Sequence, residues 1–187
     1  GGAGNPGGAG EAAQVADRDN DNNDNDFDVI MRDVDGKEVG VVNFERTDSG
    51  AVEIEGGIRG LDAQGYRGFH IHQNPVCEAD APDGPFTTAG GHYNPGDKSH
   101  GEHAGDLPSL LFDDRGNAEV RALTTRFTLD QLRQNGAALI IHAQPDNFAH
   151  IPDRYKADDA PSPGPDEQTR ATGDAGNRIA CGVIPKR

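Results

Sequence analysis

From Phe27 onward, apolar and polar positions follow the rhythm of short β-strands. Residues 29–31 and 39–44 are apolar-rich runs on either side of Asp35-Gly36, which predicts two strands about a tight turn. Residues 52–55 alternate and predict a third strand. Residues 58–61 and 68–72 are two further short runs. Residues 107–112 and 118–123 flank the turn sequence Asp113-Asp114-Arg115-Gly116-Asn117 and predict another hairpin. Thr128 can cap a short helix over residues 129–134, which Gly136 ends. Residues 137–142 are apolar up to His142 and predict a buried strand; residues 179–184 predict the last. Many short strands with turn signals between them predict an all-β sandwich or barrel.

Two stretches break the rhythm. Residues 1–26 are Gly, Ala, Asn and Asp with almost nothing apolar, too little to offset the entropy of ordering, and are expected to be a disordered Gly/Asp/Asn-rich tail. No apolar signal-like segment precedes them, so Gly1 is expected to be the start of a processed or trimmed chain. Residues 143–176 lack strand character and carry five prolines; a loop of this length is usually functional. The organisation expected is therefore a tail, 1–26, and one domain, 27–187.

Composition sharpens this. The apolar fraction is 33%, low for a globular chain, and the deficit lies in the tail and loops rather than in the strand-like runs. No apolar run is long enough to span a bilayer. Net charge is −15, from 32 acids against 17 bases, which argues against a nucleic-acid partner. The bases are 13 Arg and only 4 Lys, and Asp outnumbers Glu by 23 to 9. An Asp-rich, Lys-poor surface suits a salt-rich habitat, and a high-GC genome would also favour Arg over Lys.

The chemistry lies in the histidines. Five of the seven fall between residues 70 and 103, and a sixth, His142, closes an apolar run. His70 and His72 are two apart, so on a strand both point to one face while Ile71 points to the other. His70, His72 and His142 together form an all-imidazole set suited to copper. His100, His103 and Asp106 follow at intervals of three, the spacing of a turn folded around one ion; with a fourth ligand they make a closed zinc set. His92 lies between the two groups and is a candidate bridge, because an imidazole can offer one nitrogen to each of two metals. His150 stands outside the scheme.

These residues carry a resemblance. His70-Ile71-His72, the Gly-Gly-His-Tyr-Asn-Pro segment at 90–95, His-Ala-Gly-Asp-Leu at 103–107 and the C-terminal stretch 173–184 closely resemble the copper/zinc superoxide dismutases, over roughly residues 27–185. Residues 146–152 and 164–167 look most like the exported actinobacterial branch. The resemblance implies a flattened eight-stranded Greek-key β-barrel with long metal-site and channel loops. It also implies dismutation of superoxide anion to oxygen and hydrogen peroxide.

By resemblance His70, His72, His92 and His142 ligate copper, and His92, His100, His103 and Asp106 ligate zinc. Asp146 would hydrogen-bond one ligand of each metal, Arg178 would hold the anion beside the copper, and His92 would serve the proton chemistry. Cys77 and Cys181 are implied to be disulfide-bonded, with two buried free thiols as the alternative; a disulfide would place the protein outside the cytosol. A tail between an export signal and a domain would make a membrane tether. Family members also form homodimers through different surfaces.

Two features depart from the family pattern: a His100–His103 gap several residues shorter than usual, which demands a tighter zinc loop, and a channel loop with Lys156 as its only lysine. The alternatives kept open are a copper-only dismutase and a non-catalytic copper-binding domain.

Overall fold

The computed structural model describes residues 25–187. The tail expected over residues 1–26 therefore lies outside the described residues except at its end, where Asp26 already opens the first strand. Among the described residues the strands are β1 (Asp26–Asp33), β2 (Glu38–Arg46), β3 (Val52–Ile58), β4 (Gly65–Arg67), β5 (Phe69–His72), β6 (Leu110–Phe112), β7 (Ala118–Thr124), β8 (Ala137–His142) and β9 (Arg178–Ile184). Helix α1 (Leu129–Asn135) links β7 to β8, and helix α2 (Glu167–Thr172) lies in the long loop before β9.

Seven strands form one antiparallel sheet in the order β5-β8-β9-β1-β2-β3-β7, and β4 pairs with β6. Strands β4 and β5 are one run interrupted only at Gly68, where the chain leaves β6 and takes up β8 as its partner. Counted this way there are eight strands. A turn at residues 113–117 sets β6 beside β7 without a ladder between them, and the antiparallel sheet curls into a half-barrel. This is the curled architecture expected. Gly68 permits the handover, since a Cβ there would come within 2.6 Å of the Ala175 methyl and 3.2 Å of the His70 ring.

Alternation builds the core. Phe27, Val29 and Met31 of β1, Val42 and Phe44 of β2, Val52, Ile54 and Ile58 of β3, and Ala118, Val120 and Ala122 of β7 all face inward. Strand β8 is buried on both faces. Ala137, Leu139 and Ile141 join the main core, while Ala138 and Ile140 face a second cluster with Phe86, Ala89 and Cys181. That second cluster exists because the segment between β5 and His92 folds over the outer face of β8 and is fastened there by the Cys77–Cys181 disulfide.

The local signals act as the residue types require. Thr128 accepts from the Gln131 N–H and Gln131 reaches back to the Thr128 N–H, a capping box for α1. In both hairpin turns an aspartate, Asp33 or Asp113, accepts two backbone N–H groups of its own turn. The strand expected over residues 58–61 does not exist separately. Ile58 ends β3, and Gly60 at φ +68° turns the chain away so that Leu61 packs from a loop. The strand expected over 107–112 is ladder-paired only from Leu110.

The disulfide spans 104 residues of chain. Replacing both Cys77 and Cys181 by Ser is expected to lower the unfolding free energy by about 4–5 kcal/mol through the restored entropy of the unfolded chain. Urea denaturation of the two proteins under identical metal loading measures this, and coincident midpoints would contradict it.

Candidate metal centre

The barrel brings the separated histidines to one end. On β5, Phe69 and Ile71 enter the core while His70 and His72 point the other way, under the covering loops. Isolated bridges then tie the loops to this strand, His70 opposite Asp106 and His72 opposite His92. His142 ends β8, directly opposite Arg178 at the start of β9. All six histidines and Asp106 are buried. His150 remains outside the cluster on an exposed part of the long loop.

Two donor sets emerge, one of His70, His72, His92 and His142, the other of His70, His92, His100 and Asp106. In the first, backbone carbonyls decide the tautomers. His72 donates its Nδ1–H to Gly90 O at 2.8 Å, and His142 donates its Nδ1–H to Gly176 O at 3.1 Å. Both Nε2 atoms are thereby left as bare lone pairs, and they face each other at 3.1 Å. His70 is reversed: its Nε2–H donates to Asp146 Oδ2 at 2.7 Å, which leaves a buried Nδ1 with no protein partner. Lone pairs that converge in a dry site are repulsive without a cation between them.

In the second set His92 Nδ1 lies 3.0 Å from His103 Nδ1, 3.2 Å from His100 Nδ1 and 2.9 Å from Asp106 Oδ1. Asp106 Oδ1 lies 3.1 Å from His100 Nδ1 and 3.2 Å from His103 Nδ1. A tetrahedral zinc site with ordinary bond lengths has donor–donor edges of about 3.3 Å. Three nitrogens and one oxygen at these spacings fit that ion. His70 lies within reach of this set, but its Nε2 is taken by Asp146, so its remaining donor belongs with the first group.

The shortened loop reaches after all. Gly101 adopts φ +92°, the left-handed backbone that glycine tolerates, and the chain doubles back so that Asp106 Oδ2 accepts the N–H groups of Gly101 and His103. Both His100 and His103 come within 3.2 Å of His92 Nδ1 despite the short gap between them.

Asp146 links the two sets. Its carboxylate accepts from His70 Nε2 through one oxygen and from His100 Nε2 through the other, each at 2.7 Å, with its side chain fully buried. The Phe148 N–H donates to the oxygen that serves His100. Helix α2 supports the same corner: the His100 N–H donates to Arg170 O, and a Cβ on Gly173 would overlap both Asp146 Oδ1 and His100 Nε2. Sequence reasoning passed over this helix, although Asp166 as N-cap and Gly173 as C-cap bracket it in the ordinary way. It also passed over Phe148, whose ring stacks on His100 at 6.2 Å.

Arg178 donates from Nη1 to Phe86 O at 2.8 Å and from Nη2 to Gly90 O at 2.7 Å. Gly90 O also accepts from His72, so one carbonyl joins the guanidinium to the first donor set. Two of the five N–H groups of Arg178 are used in these bonds, and three remain.

Burial depresses the histidines of the first set. His72 and His142 are held well below the ordinary value by burial and by neighbouring imidazoles, and His92 falls to about 4 chiefly through burial. His100 goes the other way. Burial acts to lower it, but its hydrogen bonds to Asp106 and Asp146 outweigh burial and raise it to about 9. Asp106 and Asp146 are correspondingly pulled far down, against burial, by their histidine partners.

These shifts give the metal-free protein a stability maximum in pH. Between about 6.5 and 4 the unfolded chain binds protons that His92 refuses in the fold, so stability falls as pH drops through that window. His100 holds a proton in the fold that the unfolded chain loses, so its contribution is complete below 6.5 and disappears as pH rises towards 9. Urea unfolding of the metal-free protein at several pH values should show losses on both sides, and loading with copper and zinc should flatten the profile. A metal-free stability that rises steadily from pH 6.5 to 9 would contradict the His100 assignment.

The chain matches the family model for copper/zinc superoxide dismutase (SODC) over residues 38–184. It is 42% identical over 159 residues to the Cu-Zn superoxide dismutase of Mycolicibacterium paratuberculosis, a match that covers 80% of this chain and 70% of the relative. It is also 42% identical over 158 residues to the Cu-Zn enzyme of Mycobacterium tuberculosis, covering 80% of this chain and 66% of that one, so it spans about two thirds of these relatives. Its fold superimposes on the Cu/Zn superoxide dismutase from Brucella abortus with a TM-score of 0.61 and 32% identity, over 85% of this chain and 99% of the other. With donor sets that fit both ions and relatives that agree over most of the domain, the chain belongs to the copper/zinc superoxide dismutase family.

Proposed function

We propose that the chain carries out superoxide dismutation with His70, His72, His92 and His142 as copper ligands and His92, His100, His103 and Asp106 as zinc ligands. The observation that carries this assignment is the set of protein hydrogen bonds that turns a bare nitrogen of His70, His72 and His142 inward. Bound copper supplies the one-electron chemistry by alternating between two oxidation states. The residues of the chain supply the rest.

His92 is the bridge. Its Nδ1 sits among the second donors, and its other nitrogen is then the one that serves the first set and can take up and release a proton for the product. His72 cannot fill this role, because its Nδ1–H is committed to Gly90 O. Asp146 keeps His70 and His100 in the tautomers that leave their Nδ1 atoms for metal, an outer-sphere role of the kind that sets ligand orientation.

Arg178 holds the substrate. Its position opposite His142, with three N–H groups remaining, suits a small anion at the copper ligands. Its two backbone bonds keep the guanidinium still, and they tie it to the segment that the disulfide fastens. We place the working protein outside the reducing cytosol; the disulfide supports that location.

Metal analysis together with superoxide consumption tests the assignment. One copper and one zinc per chain with activity is expected, whereas copper with no zinc after reconstitution in excess of both would favour the copper-only reading. Arg178→Ala should lower kcat/KM about 10- to 100-fold, the factor corresponding to about 1.5–3 kcal/mol of charge-assisted hydrogen bonding, with metal content unchanged. The chain's charge of −15 repels superoxide at long range, and capture depends on the local positive patch. Salt screens distant charges first, so activity should hold or rise with ionic strength. A steep fall would reveal an attractive long-range field.

A further inference from the structure

The segment from Ser99 to Asp106 must bring three donor atoms to one point in very little chain. Two of its residues, Gly101 and His103, are gripped from both sides. Their N–H groups donate to Asp106 Oδ2 at 2.6 and 3.0 Å. Their carbonyls both accept from Nη1 of Arg126, at 2.9 and 3.0 Å. One nitrogen with two hydrogens thus spans the loop that Asp106 spans from within.

Arg126 does not belong to the metal loop. It sits in the connection between β7 and α1, and that connection is firmly seated. The Arg126 N–H donates to Thr124 Oγ1 at 3.1 Å, the next residue Phe127 is buried, and Thr128 caps α1. The Phe127 ring also meets the Tyr93 ring edge-on at 6.1 Å, one residue from His92. The guanidinium therefore reaches the loop from an anchored scaffold. Left to water, the two carbonyls could swing independently, and the angle between His100 and His103 would swing with them. Held by one planar NH2 group, they keep a single relative orientation.

We infer that Arg126 is a positioning residue for the second metal site: it clamps the shortened loop so that His100 and His103 are presented together before the ion arrives. The inference rests on the assignment of zinc to His92, His100, His103 and Asp106. It touches neither the ion nor the copper ligands, so its effect should be confined to the second site.

Arg126→Met keeps the aliphatic stem and removes every donor. Titrating the metal-free protein with zinc against a chromophoric chelator should show affinity weakened about 10- to 100-fold, the range typical for loss of a partner that orients metal ligands. Copper content and the thermal midpoint of the metal-free protein should be unchanged, because Arg126 is exposed. Arg126→Lys, whose ammonium can still donate to both carbonyls, should recover part of the lost affinity. Cobalt(II) taken up in place of zinc should give a sharp tetrahedral visible spectrum in the wild type and a weaker, broader one in Arg126→Met. Unchanged zinc affinity in Arg126→Met would overturn the inference. So would a matching fall in the metal-free midpoint without recovery in Arg126→Lys, since the residue would then serve the fold in general. A wild-type protein that takes up no zinc would instead remove the underlying assignment, and that is read before any variant is compared.

Discussion

A metal centre buried among imidazoles depends on where each ring keeps its proton. A neutral histidine has one N–H and one lone pair, and only the lone pair can hold an ion. Here the N–H groups of His72 and His142 are taken by backbone carbonyls, and those of His70 and His100 by the two oxygens of Asp146. The lone pairs are left to converge in a buried site. The cost of burying six imidazoles is offset in part by their carboxylate and carbonyl partners, and further when cations fill the two convergence points.

The fold supplies those acceptors from parts of the chain that are otherwise unrelated. Gly90 lies at the end of the segment fastened by the disulfide, Gly176 lies just before β9, and Asp146 lies at the start of the long loop. The disulfide, the second core cluster over β8 and the two Arg178 bonds all hold the Gly90 carbonyl in place, so stability of the barrel wall and orientation of His72 are one matter. Helix α2 plays the corresponding part on the other side, where Gly173 permits an approach to the Asp146–His100 hydrogen bond that no side chain would allow. The long loop thus supports the metal centre through Asp146, the Arg170 carbonyl and Gly173.

The rigidity is unevenly shared. Three donors of the first set, His70, His72 and His142, rest on β5 and β8, paired strands whose residues are all buried. The second rests on a loop, and a loop holds a geometry only through its own hydrogen bonds. Asp106 works from inside that loop and Arg126 from outside, while Arg170 O steadies His100. The opposed shifts of His92 and His100 reflect the same division: one ring is governed by burial, the other by two carboxylates.

Much of this was legible in the chain. The period-two alternation of residues 52–55, the Asp-Gly and Arg-Gly-Asn turns, the Thr128 cap and the apolar run 137–142 depend on neighbours close in sequence, and each marked an element that exists. The two-residue spacing of His70 and His72, and the three-residue spacing of His100, His103 and Asp106, likewise select geometry within one strand or one turn. What only the tertiary structure decided is which groups from distant segments meet. That Ile58 ends a strand instead of starting one, that Gly68 hands the chain from β6 to β8, that Arg178 binds the Phe86 and Gly90 carbonyls, and that Arg126 closes over Gly101 and His103 are long-range facts. Local pattern is set by the covalent period of the backbone, whereas the partner of a side chain depends on which loops the curl of the sheet brings beside it.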